Sequence, residues 1–225
     1  MRKVTLAAEE FYHVYNRGTD KRIIFLDDQD LMRFLQSMVE FNAFEPIGSL
    51  YQNSFRKSLL RGRTSKLVNE VKKDDERLVK IISYCLNPNH FHLILRQISE
   101  RGIERFMQRL GTGYTMYFNH KYERTGVLFQ GKFKAIHIDS NEYLLHVSAY
   151  VNLNFRVHQL NDQSFRYRSS WGEYVAGAGS EKRICDRESV LGQFRNANEY
   201  IEFAQNSLKG TLENRGLLNK GDLLE

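Results

Sequence analysis

The chain has 225 residues, 12% aromatic and 27% charged, with only 2 Pro, a composition that fits a folded globular protein and excludes a disordered or fibrous one. No apolar run approaches the roughly 20 residues a membrane helix needs, and the opening MRKVTLAAEEFYHV lacks the apolar centre of a secretory signal. The net charge of +6 is uneven: 24 Lys and Arg against 17 Asp and Glu up to residue 160, then 9 against 10, so the basic excess points to a polyanion, nucleic acid first, as partner of the first part.

In chain order, EEFYHVYNRG alternates as a strand ending at Gly18. Asp27 or Asp28 caps a helix through about Ala43, with Leu31, Phe34, Leu35, Met38 and Val39 at helical spacing. Residues 45 to 77 are polar, highly charged and without a period, an excursion between core elements. Leu78 to Leu86 resumes strand character, Asn87-Pro88-Asn89 is a turn, and a second strand follows, which makes an antiparallel hairpin. A helix over 101–122 buries Ile103, Phe106, Met107, Leu110, Tyr114, Tyr117 and Phe118. Gly111 and Gly113 inside it require either a break or a close neighbour. Strand alternation returns from Phe133. Asp139 or Ser140 caps the next helix, with Glu142 offered for a capping box, and that helix ends near Asn154. The tail is loop-rich (RYRSSWGEYVAGAGS), then helical around NANEYIEFAQNSL. Residues 1–160 are read as one α+β domain with a mainly antiparallel sheet, and 161–225 as an accessory, partly helical tail. Cys85 and Cys185 make no disulfide framework; two free thiols suit a reducing, cytoplasmic setting.

The chemistry lies in two short segments. In CLNPNHFHLIL, His90 and His92 are two apart on a strand and share one face, while Phe91, Leu93 and Leu95 take the other. Two neighbouring imidazoles can hold one divalent metal. In YLLHVSAYVNLN, Tyr150 and Asn154 are four apart, on one face of a helix. A phenol is a weak nucleophile near neutral pH, and attack on a phosphodiester becomes practical where a metal polarises the phosphate. The product is a covalent phosphotyrosine, whose conserved bond energy suits strand transfer. Each piece has a plainer explanation: a structural His pair, an interfacial tyrosine, an asparagine at a helix end. Tyr114 and Tyr117 go to the core. His137 and His146 are rival ligands ranked below Asn154.

Taken together, YHVYNRG, YCLNPNHFHLIL, GIERFMQRLGTGYTMYFN, TGVLFQGKFKAIHID and EYLLHVSAYVNLN resemble the REP-associated tyrosine transposases, relatives of the single-tyrosine insertion-sequence transposases in the HUH endonuclease superfamily. The resemblance covers most of residues 10 to 156. It implies a ferredoxin-like α+β fold and metal-dependent cleavage and rejoining of single-stranded DNA beside a hairpin. It also implies a 5′-phosphotyrosine on Tyr150, with His90, His92 and Asn154 as ligands of Mg²⁺ or Mn²⁺. Arg17, Lys132 and Lys134 are the expected phosphate contacts, and Phe129 or Phe133 the base-stacking ring. The chain departs from the family in one place: Asn154 is followed by Phe155 where members usually carry proline. Two other functions fit the same residues: a non-catalytic hairpin-binding module, and a hydrolase in which water attacks and Tyr150 positions it. Monomer and homodimer are both compatible with the sequence.

Overall fold

The computed structural model describes residues 5–54, 77–158, 166–176 and 183–221. Most of the charged excursion at 45–77 lies outside the described residues. Strands β1 (Phe11–Arg17), β2 (Val79–Asn87), β3 (His90–Gln97), β4 (Lys134–Ile138) and β5 (Arg168–Ser169) form one antiparallel sheet in the order β4-β1-β3-β2-β5. The first four strands, with α1 (Asp28–Glu40) after β1 and α2 (Gly102–Lys121) after β3, have the ferredoxin-like order. Asn87 pairs with His90 across a two-residue turn at Pro88-Asn89, the hairpin expected from the sequence.

Helices α1 and α2 pack on the sheet face that carries Phe91. The Phe34 ring stands 5.2 Å from Phe91 and 5.0 Å from Tyr114, all within the continuous core. Tyr114 is fully buried and its hydroxyl donates to the Ile24 carbonyl at 2.6 Å, so its assignment to the core holds. The start of α1 is fixed by a reciprocal capping box between Asp27 and Asp30. Asp30, fully buried, also meets Lys121 Nζ at 2.8 Å and the Tyr122 hydroxyl at 2.8 Å, which ties the start of α1 to the end of α2. Helix α2 runs unbroken through both glycines. Gly113 lies against Phe41, where an added Cβ would stand 2.6 Å from the ring, whereas Gly111 faces open space.

The opposite face of the sheet carries α3 (Asn141–Asn152), which packs across β2, β3 and β4. Ser140 caps it, accepting from the Tyr143 amide at 3.2 Å. The capping box with Glu142 does not form, because the third helical position is Tyr143. Helix α3 stops at Asn152, and after Leu153 (φ −106°) the chain takes a separate helical turn, α4 (Asn154–Val157). Asn154 is therefore not in the same continuous helix as Tyr150, a correction to the four-residue spacing argument.

The tail completes this layer through α5 (Trp171–Val175), α6 (Glu188–Leu191) and α7 (Ala197–Gly221). Tyr174 and Tyr200 are fully buried, and Asn152 Nδ2 donates to the Tyr200 hydroxyl at 2.8 Å. Among the described residues no helix is long and apolar enough to cross a membrane.

Candidate active site

Antiparallel register gathers the site from three cross-strand rows on the α3 face. One row is Asn87, His90 and Arg17; the next is Cys85, His92, Tyr15 and Lys134; the third is Ser83, Ile94, His13 and Ile136. The strand alternation predicted for His90 and His92 thus places both toward α3, with Phe91 and Leu93 in the opposite core. Their rings stand 5.2 Å apart. Tyr150, half-buried on α3, presents its ring edge-on to His92 at 5.7 Å. Among the described residues its hydroxyl makes no hydrogen bond.

Asn87 joins Asn154 to this group. Its Nδ2 donates to His90 Nε2 at 2.8 Å and to Asn154 Oδ1 at 2.6 Å. The Cys85 thiol donates to Asn87 Oδ1 at 3.4 Å, which sets the amide the same way round. Burial pushes that thiol up to about 12, so it stays protonated and able to donate. His90 and Asn154 therefore converge on one point although Asn154 has left the helix. Asn89 fixes the His90 tautomer: its Nδ2 donates to the Lys21 carbonyl at 3.2 Å, leaving Oδ1 to accept from His90 Nδ1 at 2.7 Å. His90 Nε2 is then a lone pair.

These residues fit a divalent metal. A lone pair of His90 and one of Asn154 already point at a single donor, a place a cation can take. Asn154 Nδ2, fully buried, has no hydrogen-bond partner among the described residues, the kind of orphaned group that collects at functional positions. Among the described residues no group of three or more His, Cys, Asp or Glu is placed to hold a metal. A metal at the His pair would accordingly draw on the amide oxygen. His137, one rival ligand, lies on the other sheet face against Tyr12 and bonds Glu10 at 2.9 Å. His146, the other, meets Ser207 at 3.1 Å in a separate cleft between α3 and α7.

A cleft of about 600 Å³ opens over the imidazoles, lined by Tyr15, Arg17, Lys21, His90, His92, Gln130, Lys134, Tyr150 and His158 among others. Arg17 is steered by a hydrogen bond from its Nε to Gln130, and Gln130 is carried there by its backbone bond to the Arg17 carbonyl. Lys132 is not in this cleft. It lines another, on the α2 side, together with Phe129 and Phe133, so three of the expected nucleic-acid contacts sit away from the His pair. The start of β4 explains it: Lys134 is the first residue of the strand and aligns with Tyr15, beside His92, whereas Lys132 precedes the strand, where alternation no longer sets which way a side chain faces. Tyr15, 5.7 Å from His92 and nearly parallel to it, is an aromatic ring that does reach the cleft.

The sequence reading missed His13, Asn87, Asn89 and His158. His158, at the end of α4, brings its ring to 4.7 Å from His90, and its spacing of four from Asn154 was the available signal. His13 is buried and its Nε2 lies 2.8 Å from His92 Nδ1. Burial lowers its pKa to about 4, which keeps it uncharged near neutral pH.

Residues 50–154, a span that includes β2, β3, α2, β4 and α3, match the family model of IS200-like transposases. The matched span contains His90, His92, Tyr150 and Asn154. A solved structure of a REP-associated tyrosine transposase bound to a REP hairpin is similar at 14% identity and a TM-score of 0.47, covering 83% of this chain and 97% of that chain. No curated protein matches the sequence.

Proposed function

We propose that this protein is a metal-dependent endonuclease and strand transferase for single-stranded DNA beside a hairpin, with Tyr150 as the nucleophile. The observation that carries the reading is that His90, His92 and Tyr150, all inside the span matched to a transposase family, line one cleft, with the buried Asn154 joined to His90 behind it through Asn87. His90, His92 and Asn154 would hold Mg²⁺ or Mn²⁺, which when bound supplies charge that polarises the phosphate oxygens. Arg17 and Lys134, with Lys21, contact flanking phosphates, and Tyr15 offers a face for a base. The hydroxyl of Tyr150 attacks phosphorus: the Oη–P bond forms, the P–O3′ bond breaks, the phenol loses its proton and the departing 3′ oxygen gains one. A 5′-phosphotyrosine and a free 3′-hydroxyl result, and attack by another 3′-hydroxyl reverses the step. The two buried thiols suit a reducing cytoplasm.

The test is an electrophoretic assay with an end-labelled hairpin carrying a single-stranded flank, run under denaturing conditions with and without Mn²⁺. A labelled band at protein mass that needs the metal supports the reading. Cleavage without a covalent band assigns attack to water, and binding without cleavage assigns the chain to the non-catalytic module.

A further inference from the structure

We infer that His13 is a positioning residue for His92, accepting its Nδ1 proton so that the Nε2 lone pair is left for the metal; this rests on the site proposed above. His13 Nε2 and His92 Nδ1 are 2.8 Å apart, with the rings close to parallel at 22° and 5.1 Å between centroids. A hydrogen bond between two neutral imidazoles has one donor and one acceptor, so only two arrangements exist. If His13 donates, His92 carries its proton on Nε2 and cannot ligate through it. If His13 accepts, His92 Nδ1 keeps the proton and Nε2 is a lone pair. The second arrangement gives His92 the tautomer that Asn89 enforces on His90. The two imidazoles then act alike, each with Nδ1–H bonded to a neighbour and a lone pair on Nε2.

The position of His13 suits this task. Its backbone lies on β1 in the row next to that of His92, it is 7% exposed, and the edge of Tyr150 closes over it at 6.1 Å. A partner that fixes the second nitrogen of a ligating histidine also raises its basicity, and loss of such a partner costs about 10–100-fold in metal affinity.

The experiment titrates Mn²⁺ into the full-length, DNA-free protein, with binding followed by electron paramagnetic resonance and folding by circular dichroism. His13→Phe keeps the ring and its packing but removes the acceptor, and it should weaken Mn²⁺ binding about 10–100-fold. His13→Gln restores an acceptor at a similar reach and should recover most of the loss. His90→Ala should abolish binding. Equal Mn²⁺ affinity in wild type and His13→Phe overturns the positioning role while leaving the site intact. Absence of binding in wild type overturns the metal site itself, and this inference with it. Should His13→Phe fail to fold, ¹⁵N-histidine spectra of the wild type decide: a protonated Nδ1 on His92 supports the role, and a protonated Nε2 refutes it.

Discussion

Burial of an uncharged His13 makes one residue a source of acid sensitivity. Its pKa falls from 6.5 to about 4 in the folded chain, so between those values the unfolded chain binds a proton that the folded one refuses. Stability from this group is complete above about pH 6.5 and is lost as pH falls toward 4. The full loss is on the order of 3 kcal/mol. Urea unfolding of wild type and His13→Gln at pH 7 and pH 4.5 measures it: wild type should lose more stability than the variant. Equal losses would show that His13 does not titrate with folding. Tyr114 is the contrasting residue, because the sequence already placed it on the apolar stripe of its helix and the structure buries it completely. Helical period was enough there. His13 carried no such signal, since its task depends on a partner 79 residues away in the chain.

At the level of the element, α2 shows what two glycines do inside a helix. Gly111→Ala places a methyl in open space and should stabilise the protein by about 1 kcal/mol through helix propensity. Gly113→Ala earns the same propensity but drives its Cβ to 2.6 Å from the buried Phe41 ring, so the net change should be a loss. Thermal unfolding of the two variants should move in opposite directions; a matching rise would mean that Phe41 yields freely. The sequence raised both options, a break or a close neighbour, and could not choose, because Phe41 lies beyond the end of α1 in a different element. The hairpin of β2 and β3 was legible for the opposite reason: strand alternation and the Asn-Pro-Asn turn are local. The end of α3 was not, since neither proline nor glycine marks Leu153 and the chain re-enters a helical turn at once.

Across the whole molecule, the tail is built into the layer that holds Tyr150. Tyr200→Phe removes the acceptor of Asn152 Nδ2 and leaves that amide buried, a cost of roughly 1–3 kcal/mol in urea unfolding. A cost near zero would show that α7 only rests on α3. The apolar tail residues were visible in the sequence, yet nothing local tied Tyr200 to a helix 48 residues earlier. The His pair was legible because its spacing is two, and Arg17 and Lys134 were expected at the site and do line its cleft; Asn87 and Tyr15 were not foreseen, because their place beside the His pair follows from sheet register. Charge acts at this scale too. With Lys134 in the His cleft and Lys132 outside it, Lys134→Ala should flatten the log–log salt dependence of single-stranded DNA binding by about 0.7, and Lys132→Ala should change it less. The reverse order would move the DNA path to the α2 side. The central claim, attack by Tyr150, is tested most directly by mass spectrometry of the protein trapped on DNA with Mn²⁺, then digested with nuclease and trypsin. Fragment sequencing of the peptide running from Ala135 to Arg156 should find the nucleotide mass on Tyr150 and not on Tyr143. The adduct on any other tyrosine, or cleaved DNA with no modified peptide, would contradict it.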